Sequence, residues 1–260
     1  MDNVNKTLYI PLYGKSYVSK RGIILQDRKA EEIWAAESFP LKGKSASKWL
    51  SFYMGMRAAA FDRWVKAQMV AMPEAVVLHL GCGMDSRNLR VGDESTLWYD
   101  IDFEDVIAQR GKYYSETENY KMLGADVRED DFLTGIAEKN AIVVMEGVSM
   151  YLTQEELHQV FANLGQHFEK IVVLMDCYTV FAAKASKYKN PINDVGVTKV
   201  YGLDDPTVAE SGGICFVREL DMTPQDLIDE LRGSEKLIFG KLYAGSAARK
   251  MYRLYEYRKQ

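Results

Sequence analysis

The chain has 260 residues, 47% of them hydrophobic and 27% charged, the make-up of an ordinary soluble globular protein with enough residues for one large α/β domain and a substantial core. A formal net charge of −4 without any polybasic run removes the electrostatic case for nucleic acid or an anionic membrane as partner. No window is apolar enough to span a bilayer or act as a secretory leader, and Cys82, Cys177 and Cys215 are too far apart for a disulfide framework or a zinc site, so a cytoplasmic setting without metal is expected.

Residues 1–73 are expected to be mainly helical, a cap on the remaining chain. Asp27 to Glu37 places Ala30, Ile33, Trp34 and Ala36 among charges at helical spacing. Ser47 to Met69 continues with Trp49, Phe52, Tyr53, Phe61, Trp64 and Val65, and Pro73 stops that block. Trp49, Phe52 and Trp64 suit core packing as well as the wall of an apolar pocket.

Val76 to Leu80 predicts a buried strand that ends in Gly81-Cys82-Gly83. Two glycines one residue apart lack the Cβ atoms that would keep a ligand off the backbone. About twenty residues on, a strand from Thr96 to Ile101 leads into Asp100 and Asp102, and this spacing suits a carboxylate that grips the hydroxyls of an adenosine ribose. A dinucleotide fingerprint needs a third glycine where Ser86 stands. Asp85 in the same turn would repel a pyrophosphate but tolerate a sulfonium, which favours S-adenosylmethionine over NAD. Cys82 has no neighbouring base and reads as a small residue that fits the turn.

Strands are further predicted at Tyr120–Leu123, Ala141–Glu146 and Lys170–Asp176, with helices at Phe103–Tyr113 and Thr153–Gln166, the second opened by a Thr153/Glu156 capping box. Strands alternating with helices imply a doubly wound, mostly parallel sheet. Residues 186–205 read as a loop or lid. A short helix at Pro206–Ser211, a strand at Ile214–Asp221, a helix at Thr223–Arg232 with Thr223 as cap within a helical insertion near 223–250, and a final strand at Met251–Arg258 bring the expected sheet to seven strands. The core domain is thus 74–260.

The chain resembles the leucine carboxyl methyltransferase family of class I methyltransferases, and within it the branch of polyketide O-methyltransferases. The resemblance rests on Thr7-Leu8-Tyr9-Ile10-Pro11-Leu12-Tyr13-Gly14-Lys15, Leu25-Gln26-Asp27-Arg28-Lys29-Ala30, Arg57, Leu80 to Arg87, Tyr99-Asp100-Ile101-Asp102-Phe103, Gly124 to Arg128 and Glu146 to Leu152. It implies a Rossmann-like fold and S-adenosylmethionine as cofactor. It also implies that Arg57 and Lys15 hold the cofactor carboxylate, with Gly81, Cys82 and Gly83 as the backbone passing the cofactor. Asp102 becomes the ribose ligand with Asp100 as its competitor, Asp126 and Val127 lie at the adenine, and Glu146 stands by the amino acid end. His79, where the family often has Asn, reads as a strand residue rather than a base.

Methyl transfer mainly requires alignment and exclusion of water. Tyr151 is the candidate catalytic residue on the acceptor side, with Tyr178, Tyr188, Lys199 and Tyr201 as further candidates. The expected activity is O-methylation of a carboxylate or phenolic hydroxyl of a small molecule. A protein C-terminal carboxyl methyltransferase, a cofactor-binding protein without turnover and an NAD-dependent dehydrogenase are the alternatives.

Overall fold

The computed structural model describes residues 5–259 apart from 190–191, 194–195 and 198. Strands β1 (Val76–Leu80), β2 (Trp98–Asp102), β3 (Tyr120–Gly124), β4 (Asn140–Met145), β5 (Lys170–Tyr178), β6 (Cys215–Leu220) and β7 (Tyr252–Lys259) join in the order β3-β2-β1-β4-β5-β7-β6. The first five are parallel, whereas β7 is antiparallel to both β5 and β6. The chain winds outward from β1 through β2 to β3, then restarts at β4 beside β1. The carboxyl ends of β1 and β4 therefore flank the switch point where such sheets bind ligands.

Alternation along the strands splits the core between two faces. Val77, Ile142, Val144, Val172 and Leu174 pack with Phe61, Trp64 and Val65 of the long helix α3 (Lys48–Ala71), which follows α1 (Tyr9–Lys20) and α2 (Arg28–Glu37). On the opposite face Leu78, Leu80, Val143 and Val173 pack with Leu157, Phe161 and Leu164. Those three come from α6 (Gln154–His167), which follows α4 (Arg87–Val91) and α5 (Glu104–Arg110). The Thr153/Glu156 capping box forms as expected at the start of α6. Ser47 caps α3 through Leu50 N, and Asp27 caps α2 through Ala30 N at 2.8 Å.

Two expectations change. The segment read as a loop from residue 186 opens inside a helix, α7 (Val180–Lys189), because Ala182, Ala183 and Ala185 favour helix and the Thr179 hydroxyl accepts the Ala182 amide. The expected helix at Thr223–Arg232 shrinks to α8 (Gln225–Asp229), since the Thr223 amide donates to Asp221 Oδ1 instead of starting the helix. After it, α9 (Ser234–Leu242) and α10 (Ser246–Arg249) precede β7. Val18, Phe52 and Met56 pack with Leu227, Ile228 and Phe239, which ties the N-terminal helices to this late insertion.

Candidate active site

The bend after β1 has left-handed backbone at both glycines, with φ of +63° at Gly81 and +52° at Gly83. A Cβ at Gly81 would stand 2.3 Å from Val148 Cγ2, so only glycine fits there. The Gly83 amide donates to Asp102 Oδ2 at 2.7 Å, and the Phe103 amide donates to Oδ1 at 2.8 Å. Burial pushes the Asp102 carboxyl up to about 6, against the pull of these amides. The two features paired by sequence spacing thus meet in space.

Asp100, the competitor for the ribose, is fully buried and does not line the cavity. It accepts from Trp98 Nε1 at 2.9 Å and from the Tyr120 hydroxyl at 2.6 Å, and it pairs with Arg110. Its role is structural. His79 Nδ1 lies 3.3 Å from Asp100 Oδ1, and burial lowers the histidine pKa, so the ring is a neutral strand residue as expected. Burial likewise raises the Cys82 thiol well above its ordinary value, which removes it as a nucleophile.

The charges around the bend form one connected network that the sequence did not reveal. Lys15 Nζ lies 2.8 Å from Asp85, which also meets Arg90 at 2.8 Å and Arg87 at 3.2 Å. Both arginines share Asp62, and Arg90 reaches Asp27 at 2.6 Å. Arg87 pairs with Glu146, whose other oxygen accepts from Arg57 Nε at 2.9 Å. Arg57 Nη1 then donates to Asp176 at 3.0 Å and to the Tyr252 hydroxyl at 2.8 Å. Burial raises the Glu146 carboxyl, yet Arg57 and Arg87 outweigh it and hold the group at about 2.

This network adds protein partners to three residues singled out in the sequence. Arg57 does not offer an empty guanidinium fork to a cofactor carboxylate: Nε and Nη1 are already occupied by acids of the protein. Lys15 is likewise committed to Asp85. Asp85 in turn is no bare charge in the bend, since three cations surround it. The cause is common to all three: an unpaired buried charge costs several kcal/mol, so acids and bases brought to one buried place pair with each other.

One cavity of about 980 Å³ runs along the carboxyl ends of the strands. Lys15, Arg57, Gly81, Cys82, Gly83, Asp102, Asp126, Val127, Glu146 and Tyr151 all line it, so these ten candidates reach the same space. Both Asp126 oxygens accept from Arg128, which also lines the cavity. The rest of the lining is mostly apolar and aromatic, with Trp49, Leu50, Tyr53, Met54, Tyr178 and Tyr243 among its side chains. Phe52 and Trp64, by contrast, are core residues. Beyond His79, Asp85, Asp102, Asp126 and Glu146, the described lining holds no histidine or carboxylate.

Tyr151 shares a hydrogen bond with Thr7 at the cavity wall, and burial raises its pKa, so its hydroxyl is neutral. Tyr178 also lines the cavity. Lys199 and Tyr201 do not: the Lys199 ammonium lies over the Tyr201 ring, 5.1 Å from its centre, and neither belongs to the lining. The Tyr188 side chain lies outside the described residues. Sequence reasoning missed Arg87, Asp176 and Tyr252. Asp176 and Tyr252 did carry a signal, as polar residues at the cavity end of predicted strands.

The described residues contain no group of three or more His, Cys, Asp or Glu side chains placed to hold a metal ion, and no helix among them is long and apolar enough to cross a membrane. Comparison with known proteins finds that the leucine carboxyl methyltransferase profile matches residues 5–165, well over half of the chain. The chain belongs to this family. It is accordingly an S-adenosylmethionine-dependent methyltransferase with the class I fold. It is 28% identical over 263 aligned positions to the tetracenomycin polyketide synthesis O-methyltransferase TcmP of Streptomyces glaucescens, covering 99% of this chain and 97% of that one. A second relative, the S-adenosyl-L-methionine-dependent methyltransferase dpfgK of Gibberella zeae, is 27% identical over 65% of this chain and 62% of its own length. The magnesium protoporphyrin IX methyltransferase of Synechocystis PCC 6803, solved with bound S-adenosylhomocysteine, superposes with a TM-score of 0.53 at 13% identity. That match covers 88% of this chain and 94% of the other, and it bears on the fold alone. Family membership sets aside the NAD-dependent dehydrogenase.

Proposed function

We propose that the enzyme methylates an oxygen of a small, polyketide-like acceptor. The observation that carries this is the continuity of the cavity, which joins the glycine bend, Asp102 and Glu146 to an aromatic chamber with no carboxylate or histidine of its own. Such a chamber takes a flat apolar molecule and holds it through ring contacts. The near full-length likeness to a polyketide O-methyltransferase supports the same acceptor class.

The residues at the bend fit S-adenosylmethionine. The bare backbone at Gly81 and Gly83 lets a nucleoside lie close, and Asp102 keeps lone pairs for the ribose hydroxyls beyond those used by two amides. Val127 offers an apolar edge for adenine, with Asp126 beside it. Glu146 carries an acid to the amino end. The cofactor's carboxylate is received at the Arg57 side of the network, where Nη2 has no bonded partner among the described residues. Bound there, the cofactor supplies a methyl group on a sulfonium, open to in-line displacement.

The protein's own part is placement. Tyr151 donates a hydrogen bond toward the acceptor and thereby fixes its oxygen. The ring walls exclude water. With no histidine or carboxylate in the aromatic chamber, an acceptor already ionised at neutral pH is served best, which places a carboxylate ahead of a phenol with its pKa near ~10. Incubation with labelled methyl donor and a panel of aromatic carboxylic acids and phenols tests this. Methyl ester formation supports the reading; cofactor binding without transfer to any acceptor in the panel points to a binding protein.

A further inference from the structure

The network around the bend holds four cations, Lys15, Arg57, Arg87 and Arg90, against five carboxylates, Asp27, Asp62, Asp85, Glu146 and Asp176. One buried negative charge is left over. Two of the acids have a single, shared cation: Asp27 on Arg90 and Asp176 on Arg57, and of these Asp176 is the one bonded to the cavity wall, through the Gly147 amide. Three donors point at the Asp176 carboxylate, namely Arg57 Nη1 at 3.0 Å, the Tyr252 hydroxyl at 2.5 Å and the Gly147 amide at 2.6 Å. Burial, with Glu146 nearby, raises the Asp176 carboxyl above its ordinary value, while Arg57, Tyr252 and Gly147 pull the other way, and an all-donor set suits an ionised acid. Gly147 itself lines the cavity, so the charge sits directly behind the cavity wall.

We propose that Asp176 makes the cleft select the cationic methyl donor over its neutral product. This rests on S-adenosylmethionine as the ligand, whose ammonium, carboxylate and sulfonium sum to one positive charge. S-adenosylhomocysteine has lost the sulfonium and sums to zero. A buried anion one residue behind the wall attracts the first and is indifferent to the second, because low-polarity surroundings leave the field little screened. Asp176 touches neither ligand: its bond to Arg57 bears on the carboxylate that both share, and what differs between them is the sulfonium that its field meets. Transfer erases the charge on sulfur, so the same field that holds the donor loosens the product.

Titration calorimetry on the full chain without acceptor tests this with three probes: S-adenosylmethionine, S-adenosylhomocysteine and sinefungin, which carries an amine in place of the sulfonium. The wild-type protein binds both cationic probes more tightly than S-adenosylhomocysteine. Asp176→Asn weakens the two cations by on the order of tenfold, as expected for one unit charge acting at short range, and leaves S-adenosylhomocysteine nearly unchanged. Tyr252→Phe removes a donor to Asp176 but no charge, and keeps the preference. The proposal is overturned if Asp176→Asn weakens all three probes alike, as a merely structural role would. It is also overturned if the wild type binds S-adenosylhomocysteine as tightly as the cations, a result that needs no variant. Absence of heat with every probe instead removes the donor assignment on which the proposal rests.

Discussion

The Gly83 amide donates to the Asp102 carboxylate at 2.7 Å, which clamps the bend after β1 to the end of β2. Burial holds that carboxyl near 6, inside the range where pH is easily varied. The ionised form is the stronger acceptor for ribose hydroxyls. Because the folded pKa lies above the ordinary carboxylate value, the ionised form is complete above pH 7 and is lost as pH falls through 6. S-adenosylhomocysteine affinity should therefore be level from pH 7 to 8 and drop by up to about tenfold per unit below 6. In Asp102→Asn the affinity should be weaker throughout and flat across this range.

Arg57→Ala should act first on stability. The substitution leaves Glu146 and Asp176 facing each other without the cation they share, and breaking a buried pair in this way costs about 3–5 kcal/mol. Denaturant unfolding without ligand measures the loss. A variant as stable as the wild type would mean that the guanidinium serves the cofactor alone.

Gly81→Ala should destabilise the fold and abolish cofactor binding together. The left-handed backbone costs an alanine roughly 1–2 kcal/mol, and the added methyl group runs into Val148. Combining it with Val148→Ala should recover part of the stability, read from the thermal midpoint, because that change removes the clash and leaves only the backbone strain.

The glycine bend and the Asp102 pairing were legible in the sequence because each answers a local demand: a backbone that must turn left-handed, and an acid at a fixed distance beyond it. The doubly wound, mostly parallel sheet followed from the alternation of strands with helices. What the sequence hid was how Arg57 is used, since its partners Glu146 and Asp176 lie 89 and 119 residues away. A basic residue near a ligand site looks the same whether it greets the ligand or an acid of the protein. The N-terminal half of α7 escaped for a different reason: the polar composition after residue 186 masked a helix begun among alanines. Lys199 and Tyr201 were credited to the pocket because they stood in that same segment, and the folded chain instead pairs them with each other.

Tyr151→Phe should slow transfer without changing cofactor affinity. Its hydroxyl is neutral and bonded to Thr7, so the loss is that of one hydrogen bond, about 0.5–1.5 kcal/mol or a two- to tenfold fall in kcat. Single-turnover rates with saturating donor measure it. Unchanged rates would remove Tyr151 from the mechanism.

A crystal structure of the protein soaked with S-adenosylhomocysteine tests the central claim most directly. The ligand should lie across the bend after β1, both ribose hydroxyls within hydrogen-bond distance of Asp102, its amino group facing Glu146 and its sulfur toward the aromatic chamber. A nucleoside bound elsewhere, or one whose ribose leaves Asp102 untouched, would contradict it.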